Sequence, residues 1–157
     1  MAIIGVDNVC SIDCCYIHFL AFYEGKCCSA HGHSSRVSVA IGGTPDENGM
    51  VVDFVVVKKA LKDALNEWLD HKLIVSSKYA QVVDESVEIE YTTKAGKHYM
   101  LLPRSEVTII EGEPLAETLA NLVAEKVLQK LPHSVSSVTV TLTEGLDNYA
   151  VGRASRN

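Results

Sequence analysis

The chain has 157 residues, enough for a single domain with a sizeable hydrophobic core, and 20 acidic against 14 basic residues give it a net charge of -6. That charge argues against a nucleic-acid partner, which needs a basic stripe. No apolar run approaches the roughly 20 residues of a membrane span, and the first residues lack the basic segment of a signal peptide, so we expect no membrane association. All five cysteines fall within the first 28 residues, a distribution unlike a disulfide framework, which predicts a reduced, cytoplasmic protein.

In chain order, the first half of the sequence predicts two strands and a helix. An apolar stretch at about residues 9–22 is typical of a strand, and the alternation from His31 to Ile41 predicts a half-buried antiparallel strand. A dense cluster of turn residues follows at 42–49. Apolar side chains at helical spacing then predict an amphipathic helix at about 55–69.

The second half predicts a hairpin, a helix and two closing strands. Segments at 87–91 and 98–102 flank a glycine-containing loop, and we expect a hairpin insert near 72–112 within the single domain 1–157. A second helix follows, with Pro114 suited to its first turn. Two helices that cover one face of an antiparallel sheet make an α+β architecture.

Three histidines have the spacing of a metal site. His31 and His33 are two residues apart, so on a strand both imidazoles point to the same face. His18 lies near the end of the preceding strand, and a turn around Gly25 would place it beside the pair. Three imidazoles with a fourth position open are the pattern of a catalytic zinc site. The alternative, a core His18 with the pair facing solvent, stays open at this level.

A pair of thiols precedes the second strand. Cys27 lies four residues before His31, and a thiol close to a dication and an imidazole can act as a base or a nucleophile. Its alternative role is that of a small buried apolar residue. Cys28 competes with it, because the sequence does not tell which of two neighbours points inward.

One further histidine and three carboxylates complete the candidates. Asp70 and His71 end the first helix, where a carboxylate can fix an imidazole tautomer, although a histidine there also interacts favourably with the helix dipole. Glu117 lies near the first turn of the second helix, where a carboxylate is favoured in any case. Glu144 precedes a glycine turn, where it is either solvated or able to grip an amino-heterocycle through paired hydrogen bonds.

The order and spacing of these segments resemble a known family along nearly the whole chain. The matching segments are His18-Phe-Leu, Gly25-Lys-Cys27, Cys27-x-x-x-His31-Gly-His33, Gly49-Met-Val-Val-Asp53-Phe54, Leu69-Asp70-His71, Pro114-x-x-Glu117-x-x-Ala120 and Glu144. In this order they are similar to the 6-pyruvoyltetrahydropterin synthase family, which includes the 6-carboxytetrahydropterin synthases of 7-deazapurine biosynthesis. The resemblance implies the tunnelling fold (T-fold), an antiparallel sheet backed by two helices, with copies assembled into an oligomeric barrel as a trimer or hexamer.

The resemblance also implies roles for the candidate residues. Three of them would bind zinc: His18, His31 and His33. Cys27 would be the catalytic proton acceptor, with Asp70 and His71 completing its relay. Glu144 would anchor the pterin ring at the catalytic site, and Glu117 would make a lesser contact to the substrate.

The implied activity is that of a zinc-dependent carbon–oxygen lyase. It would act on 7,8-dihydroneopterin triphosphate and eliminate triphosphate. The four-residue step from Cys27 to His31 is similar to the branch that forms 6-carboxy-5,6,7,8-tetrahydropterin. The alternatives are the 6-pyruvoyl branch and a non-catalytic homologue that binds zinc or pterin, which the departures from the family pattern at Tyr16-Ile17 and Leu115 permit.

Overall fold

The computed structural model of the chain describes residues 2–6 and 11–156. In chain order its strands are β1 (Ala2–Val6), β2 (Ile12–His18), β3 (His31–Gly43), β4 (Lys72–Ser76), β5 (Ala80–Val83), β6 (Ser86–Thr93), β7 (Gly96–Pro103), β8 (Val107–Ile110), β9 (Val135–Glu144) and β10 (Asn148–Ser155). Its helices are α1 (Phe54–Trp68) and α2 (Ala116–Gln129). Within the described ranges, neither helix is long and apolar enough to cross a membrane.

Seven strands form the main sheet, in the order β10-β9-β3-β2-β4-β8 with β1 paired to β3. The sheet is antiparallel except at one end, where β4 runs parallel to β2 and β8 runs parallel to β4. Parallel neighbours need a long crossover connection, and the chain supplies one each time, first through β3 and α1 and then through β5 to β7. The predicted α+β class is confirmed.

The segment at 72–112 contributes to two different sheets. Its outer strands, β4 and β8, belong to the main sheet, whereas β5, β6 and β7 form a separate three-stranded antiparallel sheet. The predicted hairpin is the antiparallel pair of β6 and β7. Gly96, the first residue of β7, has a φ of +127°, a backbone conformation that favours glycine. Tyr91 of this small sheet stacks on Phe19, with ring centroids 3.8 Å apart. The small sheet therefore supports the chain immediately after His18.

The first helix, α1, is confirmed close to its predicted bounds. Asp53 caps it, because its carboxylate accepts a hydrogen bond from the Val55 N–H at 2.7 Å. Leu61 and Leu65, four residues apart, lie on its buried face. The chain leaves the helix through Leu69 and enters β4 beside β2, so α1 delivers the next residues to the edge of β2.

The second helix, α2, begins two residues after Pro114. Ala116 is its first helical residue and Leu115 is its N-cap, so the expectation that Pro114 lies in the first turn is wrong. The physical reason lies in the partner of its carbonyl group: the Pro114 oxygen accepts a hydrogen bond from His18 Nδ1 at 2.7 Å. The segment before the helix is thus bound to the end of β2.

The helices pack on one face of the main sheet. α2 contacts β9, β10 and α1, and the buried side chains of both helices share one core with Val37, Ile41 and Leu142 of the sheet. At Gly152 of β10 the strand touches the helix backbone, and a Cβ atom there would collide with Ala120. Only glycine allows this approach, which fixes the distance between β10 and α2.

Candidate active site

The antiparallel pairing of β2 with β3 brings the three predicted zinc ligands together. His18, the last residue of β2, lies directly opposite His31, the first residue of β3, and His33 follows two positions later on the same face. The nitrogen atoms available for metal binding all lie within 4.8 Å of one another. His18 is 3% exposed and the other two imidazoles are partly exposed. The cluster is therefore anchored in the protein on one side and open on the other.

The hydrogen bonds of two imidazoles fix their tautomers. His18 Nδ1 donates to the Pro114 carbonyl at 2.7 Å, and His31 Nδ1 donates to the Ser29 carbonyl at 2.8 Å, because a carbonyl oxygen can only accept. In the neutral rings both Nε2 atoms then carry lone pairs, yet they face each other at 3.1 Å. Burial lowers the pKa of His18 and so favours its neutral form.

A cation bound between the two Nε2 atoms would remove the repulsion between their lone pairs. With Zn–N bonds of 2.0–2.1 Å and tetrahedral angles, two imidazole nitrogens on one zinc ion lie about 3.3–3.4 Å apart. The observed separation of 3.1 Å between the Nε2 atoms of His18 and His31 is close to that value. The carbonyl partners on the opposite ring nitrogens are the usual outer contacts of metal-binding histidines. The donor set therefore fits zinc.

Glu144, at the end of β9, faces the histidine cluster. Its carboxylate oxygens lie 3.9 Å from the Nε2 atoms of His18 and His33. The Tyr16 hydroxyl donates a hydrogen bond of 2.6 Å to the same carboxylate. Burial of the Tyr16 ring, together with this hydrogen bond, raises the pKa of its hydroxyl, so Tyr16 stays protonated and keeps donating. This contact positions Glu144 at the cluster.

One cavity of about 400 Å³ collects most of the candidate residues. Its lining includes the three histidines together with Cys27, Glu117 and Glu144. Of the two adjacent thiols, both within the described residues, only Cys27 is among the residues that line it. Cys27 is held in a short helical turn, Lys26–Cys28, where its carbonyl accepts a hydrogen bond from the Leu20 N–H at 2.8 Å. The two walls beside the histidines come from the start of α2 and the start of β10.

Asp70 and His71 lie outside this cavity. They line a different cavity of about 590 Å³, together with Cys15 of β2. His71 Nδ1 lies 3.0 Å from the Asp70 carboxylate, and the His71 side chain is 79% exposed. Within one chain, the structure therefore brings Asp70 and His71 to each other but not into the cavity of Cys27.

Sequence reasoning missed two residues at these sites. Tyr16 shares the strand parity of His18, which was a usable signal that both side chains face the same way. Cys15 has the opposite parity and contacts His71 instead, with Sγ 3.7 Å from Nε2. No local sequence pattern predicts the contact between Cys15 and His71, because the two residues are 56 positions apart.

Comparisons with known proteins agree with this architecture. A family model described as 6-pyruvoyl tetrahydropterin synthase matches residues 11–155. A Pyrococcus abyssi protein, provisionally named 6-carboxy-5,6,7,8-tetrahydropterin synthase, is 38% identical over 135 residues, which cover 85% of this chain and 80% of the relative. The 6-carboxy-5,6,7,8-tetrahydropterin synthase of Rickettsia felis is 28% identical over 115 residues, which cover 73% of this chain and 74% of the relative.

Solved structures share the fold. The 6-pyruvoyl tetrahydropterin synthase of Plasmodium vivax superposes with a TM-score of 0.75 at 19% identity and covers 99% of this chain and 98% of its own. The Caenorhabditis elegans enzyme of the same name gives a TM-score of 0.58 at 19% identity, with 100% of this chain and 98% of its own covered. The predicted T-fold is thereby confirmed.

Proposed function

The chain belongs to the 6-pyruvoyl tetrahydropterin synthase family, and on that premise we propose that it is a zinc-dependent lyase that forms 6-carboxy-5,6,7,8-tetrahydropterin. Its substrate in this proposal is 7,8-dihydroneopterin triphosphate, which loses triphosphate by elimination. One water molecule is consumed, the first side-chain carbon stays on the ring as the carboxylate, and the two outer carbons leave as acetaldehyde. The observation that carries the proposal is the single cavity in which the three histidines, Cys27 and Glu144 meet. The names of the Pyrococcus abyssi and Rickettsia felis relatives favour the carboxy product.

Three residues would hold the metal: His18, His31 and His33. A zinc ion there would supply Lewis-acid polarisation of the substrate's side-chain hydroxyls. The protein's own contribution is to orient the imidazoles, and it does so through the carbonyl groups of Pro114 and Ser29. Each of these carbonyls binds an Nδ1–H and so directs the Nε2 lone pair into the cavity.

Cys27 is the group that we assign to take a carbon-bound proton from the substrate. It shares the cavity with the metal-binding nitrogens, which is the first requirement for a general base. Glu144 would accept hydrogen bonds from the N–H groups of the pterin ring. The hydrogen bond from the Tyr16 hydroxyl holds the Glu144 carboxylate in position for this contact. Glu117, an exposed residue of the cavity lining, would make a lesser contact to the substrate.

The relay is proposed to form between copies of the chain. Asp70 and His71 line a cavity other than the one that Cys27 lines, and we therefore assign them to the Cys27 thiol of a neighbouring copy rather than to that of their own chain. The family resemblance implies a homo-oligomer, and a neighbouring copy would then bring its exposed His71 to Cys27. Asp70, 3.0 Å from His71 Nδ1, would fix the tautomer in which Nε2, on the outer side of the ring, is free to accept a proton.

Replacement of Cys27 tests the assignment. We expect Cys27→Ala to lower triphosphate release from 7,8-dihydroneopterin triphosphate by roughly 100-fold or more, because a positioned general base contributes at least that factor. Zinc content should stay at one ion per three-histidine site. The matched control is Cys28→Ala, which should keep most of the activity because Cys28 is not among the cavity-lining residues. Full activity in Cys27→Ala, or loss of activity only in Cys28→Ala, would refute the role of Cys27.

A further inference from the structure

A second cluster of metal-binding side chains lies on the other face of β2. Cys15 has the opposite strand parity to His18, so its thiol points away from the histidine cavity. Ligand atoms of Cys15, Asp70 and His71 all lie within 4.8 Å of one another. They line an open cavity of about 590 Å³, and the proposed reaction assigns roles to Asp70 and His71 but none to Cys15.

Backbone hydrogen bonds build this cluster. The His71 N–H donates to the Cys15 carbonyl at 2.7 Å, and the Cys15 N–H donates to the Asp70 carboxylate at 3.0 Å. His71 also adopts a left-handed backbone conformation, with a φ of +57°. That conformation is uncommon for a residue other than glycine and persists only where the surrounding contacts impose it. The hydrogen bonds of the backbone therefore fix the relative positions of the three residues.

The donor atoms have the arrangement of a zinc-type site. His71 Nδ1 donates to the Asp70 carboxylate at 3.0 Å, so in the neutral ring the Nε2 lone pair points the other way. That atom lies 3.7 Å from Cys15 Sγ. With Zn–S bonds of 2.3 Å and Zn–N bonds of 2.0–2.1 Å, tetrahedral coordination places the two donors about 3.6 Å apart. A carboxylate behind the metal-binding histidine is also the usual outer contact.

We propose that Cys15 and His71 form a second metal site, oriented by Asp70, for zinc or another thiophilic divalent cation. Two protein ligands bind the ion, and water completes its coordination from the open cavity. The site binds more weakly than the three-histidine site, because it has one protein ligand fewer and the His71 side chain is 79% exposed. This inference concerns metal binding and stands independently of turnover.

A consequence for activity rests on the proposed function. A metal ion on His71 Nε2 removes that atom from the relay with Cys27 of a neighbouring copy. In the parent protein, the second equivalent of zinc should therefore lower the rate of triphosphate release. In the Cys15→Ser protein, the rate should be the same with one and with two equivalents of zinc.

Cobalt titration of the full chain tests the site itself. Co²⁺ replaces Zn²⁺ at such sites, and a thiolate ligand produces a near-ultraviolet charge-transfer absorption that three histidines do not. We expect the second equivalent of Co²⁺ to produce this absorption in the parent protein. Cys15→Ser should lose both the absorption and the second equivalent but keep the first. Cys28→Ser, a matched change at another partly exposed thiol, should keep both.

Further variants separate this proposal from the proposed function. His71→Ala keeps the thiol but should lose the second equivalent, whereas His31→Ala should lose the first equivalent and keep the charge-transfer absorption. If the absorption survives in Cys15→Ser, or disappears in Cys27→Ala instead, the thiolate belongs to the histidine cavity and the proposal is refuted. A parent protein that binds one equivalent refutes it as well. None of these readouts depends on turnover.

Discussion

At the residue scale, the candidate site depends on hydrogen bonds that orient its functional side chains from the side opposite the cavity. The Pro114 and Ser29 carbonyls orient His18 and His31, and the Tyr16 hydroxyl orients Glu144. Such outer contacts fix the orientation of metal-binding side chains, and loss of one typically lowers metal affinity or activity by about 10- to 100-fold. The variants that best separate binding from folding are therefore those that remove one such contact and leave the side-chain volume nearly unchanged.

Tyr16→Phe is the most informative change of this kind. It removes the hydroxyl that donates to Glu144 at 2.6 Å but keeps the aromatic ring in the core. Hydrogen bonds to charged groups contribute about 1.5–3 kcal/mol, so we expect the KM for the pterin substrate to rise roughly 10- to 100-fold with a smaller change in kcat. Steady-state kinetics of the zinc-loaded protein measure both. An unchanged KM at unchanged zinc content would argue against a role for Tyr16 in holding the anchor.

The sequence could predict the three histidines but not the residues around them. Their spacing on two strands joined by a short connection is a local signal, and it indicated a shared face. Tyr16, at 2% exposure, is indistinguishable by pattern from an ordinary core residue. Its role follows from a partner 128 positions away, and contacts at that distance depend on the assembled fold.

At the scale of the elements, the parallel strands were the hardest to predict. β2, β3 and the two helices carry clear alternation or helical spacing. β4 is buried along almost its whole length, so its apolar residues follow one another without alternation. The sequence therefore does not indicate which of its side chains face the helices. β8, with four residues, is also short and mostly buried. Their sequences indicate strands, but the identity of their partners, β2 for β4 and β4 for β8, is set by how the crossovers pack.

The contact between β10 and α2 gives a prediction at this scale. The starts of these two elements form the two walls beside the histidines, and Gly152 sets the separation between β10 and α2. Gly152→Ala should lower the free energy of unfolding by about 1–3 kcal/mol, because the added methyl group meets the backbone of Ala120 and overpacking costs that amount. Urea denaturation measures the change.

A neighbouring substitution provides the control for Gly152→Ala. Val151 lies on the same strand but is 42% exposed, so Val151→Ala should change the free energy of unfolding by no more than about 0.5 kcal/mol. Equal stability of the two variants would show that the strand can move away from the helix. In that case Gly152 would not determine the shape of the cavity wall.

At the scale of the whole molecule, the separation of Cys27 from Asp70 and His71 is the central structural fact. The family resemblance predicts that all three act together, but a single chain holds them in different cavities. One chain's sequence contains no signal for which copy contributes which residue. The proposal that the relay joins two copies reconciles the predicted roles with the observed positions.

Mixing two inactive variants tests this proposal. Cys27→Ala and His71→Ala should each lack activity alone, because every site then misses the base or its relay partner. In mixed oligomers, about a quarter of the sites would pair an intact Cys27 with an intact His71 from the neighbouring copy. Assays of triphosphate release after co-refolding measure the recovered fraction. Mixtures that stay as inactive as the separate variants would argue against a relay between copies.

The most direct test of the account is the identity of the product. Zinc-loaded protein is incubated with 7,8-dihydroneopterin triphosphate, released triphosphate is quantified, and the pterin is identified by mass spectrometry. We predict stoichiometric triphosphate release with 6-carboxy-5,6,7,8-tetrahydropterin as the product. A 6-pyruvoyl product would keep the histidine cavity as the active site but contradict the assigned branch. The absence of triphosphate release from protein with zinc bound to the three histidines would contradict the proposed function.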